Sequence, residues 1–330
     1  MSAEQAVAAT KRSSRRDWFA DLTFTRRGII DAKTGRTIGA ADLTPGELVK
    51  FLGYLTYLLL QAAVVARRHR ISVYFTPDTP RPWHVIWSAC VLSGIRFARE
   101  ESRADATFYF EDKTYGAPDA LPDGGGINGG CRDISKSHVA AVFEQVANYP
   151  FSIDPGTYRG LAVEKSEENG AHDGRIIACP TARRAGKAYQ LFIDCAHAGT
   201  AFDYRTTIID RTPQFVLIKA KPASDRFSIH NASVVFAPIT DVYSLSEIDL
   251  LTRFAAAMSL DWAALDVLRD QSTGRIYVVD VNKTDMGPAV DLSWSDRERL
   301  KRVIAPRLLA MIKRRLAAQP GKNLTGTTRL

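Results

Sequence analysis

Apolar positions along this chain fall into distinct rhythms, and each rhythm predicts a different element. Residues 1–45 keep neither a helical nor a strand period and read as a polar lead-in. From 46 to 68 apolar residues crowd a helical stretch, and within it 51–66 carries no charge. A strand is predicted over 71–75, a helix over 82–92 that Gly94 ends, and further strands over 95–98 and 106–110. Those elements make a small β-α-β layer. The stretch 118–130, with Pro122 and Gly124-Gly125-Gly126, breaks the pattern as a linker and is the best domain boundary.

Beyond the linker a helix is expected over 136–148, where Val139, Val142, Phe143 and Val146 recur at i, i+3, i+4 and i+7. Ser135 is its N-cap, and Ile134 with Val139 a hydrophobic staple. From 161 to 239 the period shortens to two, predicting strands over 161–165, 175–179, 188–193, 204–209, 215–219 and 233–239 in a mainly antiparallel sheet. Helical spacing returns at Ser244, which makes a capping box with Glu247 beside a Tyr243–Ile248 staple, so a helix runs to about 259. A hairpin follows, then a last helix. Its expected opening is a capping box from Ser295 to Glu298, its buried face carries Leu300, Ile304, Leu308 and Met311, and Pro306 kinks it.

Composition narrows the class. A chain of 330 residues exceeds what one core usually organises, so two or three units sharing a cleft are expected. Hydrophobic residues at 45% and charged ones at 24% exclude disorder over most of the length. Cys90, Cys131, Cys179 and Cys195 show no Cys-x-x-Cys pair, which argues against a zinc module or a disulfide scaffold and for a reducing cytoplasm. The net charge of +8 gathers at the two ends, so the middle of the chain shows no preference for nucleic acid.

The uncharged run 51–66 is shorter than the ~20 residues a membrane span needs, and Gly53, Thr56 and Gln61 interrupt it. It is expected to pack on the protein's own domains. A helix lying on a membrane surface, flanked by Lys50, Arg67, Arg68 and Arg70, is the alternative. The aromatic group Trp83, Trp87, Phe108, Tyr109 and Phe110 has no basic residues interleaved and reads as core. Of the histidines, His172 has a functional address, in a Gly-bearing loop.

Three features carry chemistry. If the hairpin turn centres on Thr273, Asp266 lies opposite Asp280, and Asn282 shares their face, so three oxygen ligands converge as a hard cation requires. An ordinary hairpin with solvated acids is the alternative. Lys165 ends an apolar strand beside the loop Asn169-Gly170-Ala171-His172, a group able to meet phosphate oxygens, or else a plain surface hairpin. Lys136, in the first turn of a helix, opposes the helix dipole, a conflict that either a phosphate or solvent would relieve.

Taken in order, these pieces resemble the ATP-grasp superfamily, most closely its ribosomal-protein glutamyl ligase-like branch. The resemblance runs from Arg132 to about Pro288. It rests on Asp133-Ile134-Ser135-Lys136, Val163-Glu164-Lys165, the strand Tyr189 to Asp194, Asp203-Tyr204-Arg205, Arg226 with Asn231, and Asp266 with Asp280-Val281-Asn282. It implies an α/β (α+β) ATP-grasp fold preceded by a small βαβ domain. The implied division is 1–69 lead-in and helix, 70–130 preceding domain and linker, 131–320 grasp domain and 321–330 tail.

The resemblance also implies roles. Lys136 and Lys165, with Gly170 of the flap, would hold the ATP phosphates. Backbone groups of Gln190, Leu191, Phe192 and Ile193 would hold adenine, and Asp203 and Arg205 would line the cleft. Asp266, Asp280 and Asn282 would bind Mg2+, and Arg226 would stabilise the transferred phosphoryl group. The implied activity is an ATP-dependent carboxylate–amine ligase acting on small-molecule substrates. A kinase, or a nucleotide-binding protein at a membrane surface, are the rivals. Asp280 stands where the family usually has glutamate, and Lys283-Thr284-Asp285-Met286 replaces its usual small residues before an inverted Gly287-Pro288.

Overall fold

The computed structural model describes residues 22–25, 28–31, 37–39, 45–65, 71–116, 126–171, 173–228, 231–287 and 291–318. The basic groups at 11–16 and 67–70, most of the linker, His172, His230, Pro288 and the 321–330 tail lie outside them. The lead-in is not without structure. Three short strands, β1 (Leu22–Thr25), β2 (Gly28–Asp31) and β3 (Thr37–Gly39), pair antiparallel, each too short to leave a legible period.

Helix α1 (Pro45–Val65) follows, then β4 (Ser72–Pro77), α2 (Val85–Leu92), β5 (Arg96–Phe97) and β6 (Ala106–Phe110). The last three strands form a parallel sheet in the order β5-β4-β6. Phe75, Phe108 and Phe110 are buried within it, Trp87 and Tyr109 are buried too, and Trp83 is half-buried. α1 is 21 residues long, and its window Leu48–Val65 is apolar and long enough to cross a membrane. That corrects the expectation of a run too short to span. Nor does α1 simply pack, for 17% of the window is buried.

After the linker comes α3 (Lys136–Ala147), capped by Ser135, whose Oγ accepts from the His138 N–H at 3.4 Å, and ended by left-handed Asn148. A three-stranded antiparallel flap sheet, β8-β7-β9, joins β7 (Gly160–Ser166), β8 (Arg175–Cys179) and β9 (Lys187–Leu191). The central sheet uses β10 (Ala196–His197), β11 (Thr200–Ile209), β12 (Thr212–Pro222) and β13 (Ser233–Pro238). After α4 (Ile239–Val242) and α5 (Leu245–Ala257) it is completed by β14 (Trp262–Arg269) and β15 (Ile276–Asn282). Its order is β13-β12-β11-β14-β15, all antiparallel, with β10 on β11. The fold is α+β.

The expected capping box of α5 is present, Ser244 and Glu247 serving each other's backbone N–H groups. The last helix, α6 (Trp294–Ala317), starts two residues earlier than its expected box allows. Its N-cap is Ser293, which accepts from the Asp296 N–H at 3.2 Å. Glu298 is spent elsewhere, accepting from Tyr57 Oη at 2.6 Å and pairing with Lys301 at 2.7 Å. α6 continues through Pro306 as one helix.

Two cores flank the central sheet. Ile209, Phe215, Phe236 and Trp262 pack with α1, α2, β4, β6 and α6. Ile208, Val216, Leu265 and Val278 pack on the other side with α3 and α5. At about 1.5–3 kcal/mol per fully buried large side chain, these contacts hold the strand register that the site depends on. α6 thus fills the same core as the β-α-β layer, although the motif order groups it with residues 131–320.

Candidate active site

The flap and central sheets face each other across a cleft whose cavity measures ≈ 440 Å³. Strand register builds its floor. Asp203 and Arg205 are two residues apart on β11 and share a face. Asp203 lies opposite Lys219 of β12, Arg205 opposite Asp266 of β14, and Asp266 opposite Asp280 of β15. The last pairing matches the expected one by a different route. Arg269 opposite Ile276 and Val267 opposite Val278 centre the turn between Ser272 and Thr273, and the bulged Val279 then brings Asp280 into line.

The side chains follow that register. Lys219 Nζ sits 2.6 Å from Asp203 Oδ2 and 2.9 Å from Asp266 Oδ1. Arg205 Nη1 donates to both Asp266 oxygens, at 3.0 and 3.2 Å, while its Nε and Nη2 donate to Asp285 Oδ1 at 3.0 and 2.5 Å. Asn282 adds an amide donor to Asp266 Oδ2 at 3.3 Å. Burial opposes the charge on Asp266, but Arg205 and Lys219 outweigh it and hold its carboxyl below the usual range. Asp203 goes the other way, pushed up by burial and then by Asp266.

Lys136 finds a carboxylate at the helix start: its Nζ donates to Asp280 Oδ1, which also accepts from the Val281 N–H at 2.8 Å. Lys165, on β7, donates to the Val279 carbonyl at 2.7 Å. Burial first, and Lys136 second, bring its pKa down to about 8. Gly170, at φ 71, shapes the β7–β8 loop that lines the cleft. Glu164 secures that flap from behind. It is 3% exposed and accepts from Tyr189 Oη at 2.8 Å, Arg175 Nε at 2.8 Å and Arg184 Nη1 at 3.1 Å.

Gln190 and Leu191 belong to the β7–β9 ladder, and Gln190 Nε2 donates to the Lys136 carbonyl at 3.3 Å. Phe192 and Ile193 leave the strand, and their peptide groups make no hydrogen bond to another described residue. Arg226 stacks on the Phe192 ring at 4.8 Å and donates through Nε to the Ala223 carbonyl at 3.1 Å. Arg226 Nη1, Asn231 Oδ1 and Asp203 Oδ1 are buried without a partner among the described residues, and all three side chains line the cavity. Leaving such atoms unpaired costs about 1–3 kcal/mol each, so they call for a polar ligand or water.

All thirteen residues singled out from the sequence therefore line one cleft. Lys219 and Lys221, which also line it, were passed over, as was Asp285, which is buried behind Arg205. Lys219 and Lys221 alternate at the end of an apolar strand, and Asp285 is the acid replacing a small residue in the loop after β15; both signals are present in the sequence. Among the described residues no three His, Cys, Asp or Glu side chains form a group able to hold a metal ion. His84 accepts from the Arg81 N–H at 2.9 Å, a structural role.

No family model and no curated protein matches the chain. Solved structures do. The ATP-grasp ligase PsnB complexed with minimal precursor, Mg and ADP is similar over 74% of this chain and 96% of its own, at 14% identity and a TM-score of 0.46. PsnB with a phosphomimetic precursor variant aligns with 55% of this chain at 18% identity and a TM-score of 0.37, and the chain spans 58% of that structure. D-alanine–D-alanine ligase from Bacillus anthracis is similar over 75% of this chain and 97% of its own, at 12% identity and a TM-score of 0.43. A functional reading of the chain rests on the groups in the cleft.

Proposed function

We propose that the cleft binds ATP with magnesium and joins a small carboxylate to an amine through an acyl phosphate. The observation that supports this reading is the set of groups in one cavity: two amines, Lys136 and Lys165, a guanidinium with an unused donor, Arg226, and two oxygen ligands, Asp280 and Asn282. The lysines suit a polyphosphate. Lys165, depressed to about 8, is an amine that an anion would restore to full charge. Phe192 and Ile193 offer open peptide groups to an adenine edge, with Gln190 and Leu191 fixing them from the strand.

Magnesium would be held by Asp280, through the oxygen that Lys136 and the Val281 N–H leave open, and by the Asn282 amide oxygen, both hard donors. Asp266, engaged by Arg205, Lys219 and Asn282, fits the role of anchor for those cations better than that of a metal ligand. When bound, the metal supplies charge neutralisation beside the phosphates. A substrate carboxylate oxygen bonds to the γ-phosphorus as the bond to ADP breaks. The amine nitrogen then bonds to the acyl carbon, phosphate leaves, and the amine loses a proton to solvent. Arg226 donates to the phosphoryl oxygens in transit, and Arg205, fixed by Asp266 and Asp285, lines the substrate end. A cytoplasmic location and a domain boundary near residue 130 belong to the same reading; all four cysteines are free thiols.

The test is ADP release by the full chain with Mg-ATP, screened against amino acids and other small carboxylates with and without an amine. Release that needs both substrates, and that stops with chelator, supports the reading. Release that follows a hydroxyl compound and ignores the amine replaces ligase with kinase. No melting shift at millimolar Mg-ATP removes the nucleotide, because a ligand at a hundred times its Kd stabilises by about 2.7 kcal/mol.

A further inference from the structure

Helix α1 has two unlike sides. Inward, Leu58 is fully buried, Tyr54 and Tyr57 nearly so, and Tyr57 Oη donates to Glu298 of α6 at 2.6 Å. Outward, Leu48, Val49, Leu52, Leu59, Leu60 and Val64 are 50–69% exposed. At 100° per residue these six positions span a side about 160° wide, and it runs about 24 Å at 1.5 Å per residue. The other residues on that side, Gly53, Thr56 and Ala63, are uncharged as well. A bare apolar strip of this size marks a contact surface.

Its surroundings select the occupant. Trp294, 62% exposed, packs edge-on against Tyr57 at 4.9 Å, placing an aromatic ring at the margin of the strip as membrane-interface residues stand. On α6, which meets α1 through Trp294, Glu298 and Lys301, Arg302 is exposed beside Glu298. Among the described side chains Asp291 pairs with Lys50, Asp296 with Arg299 and Glu298 with Lys301. In sequence α1 runs directly into Arg67, Arg68 and Arg70, and the whole chain carries +8. A second copy would bring this positive margin against itself, whereas an anionic surface reverses the sign of that term.

We propose that the outer face of α1 docks the protein flat on an anionic phospholipid surface. The helix lies in the plane rather than across the bilayer, because crossing would strip Tyr54, Tyr57 and Leu58 from the core they share with α2 and α6. The apolar strip enters the headgroup boundary, Trp294 sits at its edge, and Arg302 meets lipid phosphates.

The experiment is co-sedimentation of the full chain with vesicles of phosphatidylcholine alone, or of phosphatidylcholine with phosphatidylglycerol. Binding to the anionic vesicles is expected to exceed binding to neutral ones by about tenfold or more, and to weaken with salt. Leu52→Glu with Leu60→Glu, both at exposed positions, should cost about tenfold or more in vesicle binding while melting stays unchanged. Arg302→Glu, at an exposed position, should lower the preference for anionic lipid and leave melting unchanged. Wild-type protein that stays in the supernatant with both vesicles overturns the proposal. So does a stable dimer that the leucine variants dissociate, since the strip then belongs to a second copy.

Discussion

One face of the central sheet carries two opposite surfaces on the same strands. At one end Asp203, Arg205, Lys219 and Asp266 make the cleft floor; further along, Ile209, Phe215 and Trp262 lie under α6. Strand alternation puts both sets on one side, and cover decides what each can be. Under α6 the side chains gain by leaving water. In the cleft every charge on the floor has to find its opposite, because an unmatched buried ion costs several kcal/mol. The charged end therefore holds together as a network, where a single change acts on several partners at once, whereas at the apolar end it leaves a local cavity.

The largest expected effect comes from removing one residue at each end. Trp262→Ala should cost about 3–5 kcal/mol in denaturant unfolding through the cavity it leaves. Asp266→Ala should cost a similar amount, about 3–5 kcal/mol, by removing the acid that Arg205 and Lys219 share, and should also abolish turnover. Turnover surviving in Asp266→Ala would detach the network from the activity. Acid should mimic that substitution. The pKa of Asp266 is held below its ordinary 3.8, so its contribution is complete above that value and is lost as pH falls further below it.

Arg226 sharpens the contrast, because it lies in the cleft without belonging to the ion-pair floor. Arg226→Ala should lower kcat by about 10²–10³ and leave the melting temperature nearly unchanged. A large drop in melting temperature would make it a structural residue instead. A smaller effect is set by pH. With Lys165 at about 8, nucleotide affinity should fall up to about tenfold per unit as pH rises above 8. Stability should move oppositely, since the folded chain releases this proton before the unfolded one, and stability therefore rises from about 8 toward 10.5. Lys165→Arg should flatten the affinity profile; an unchanged profile would place the titration elsewhere. The smallest effect is Ser244→Ala, which removes the α5 cap far from either end of that face. It should cost about 1 kcal/mol by chemical denaturation with turnover intact.

Elements whose information is local were legible from the sequence. β6 at Ala106–Phe110 and β8 at Arg175–Cys179 keep their expected bounds, and α3 starts at Lys136 behind its Ser135 cap. Caps, staples and periods involve residues within about four positions of one another, so a linear reading captures them. The Asp266–Asp280 pairing was legible for the related reason that a hairpin joins near neighbours, although the bulge at Val279 was not.

What tertiary structure decided lies at long sequence separation. Arg205 reaches Asp266 across 61 residues and Asp285 across 80, and no periodicity connects them. Lys219 became part of the floor because β12 docks beside β11 in a register that sets it opposite Asp203. Ser293 displaced Ser295 as the α6 cap once Glu298 was taken by Tyr57, a contact 241 residues apart. The sequence of α1 determined a long helix with an uncharged run from residue 51 onward, and it did so through composition alone. Which side of that helix is buried, and that an apolar side remains bare, followed from where α2 and α6 pack, since a uniformly apolar helix encodes no preference for one face.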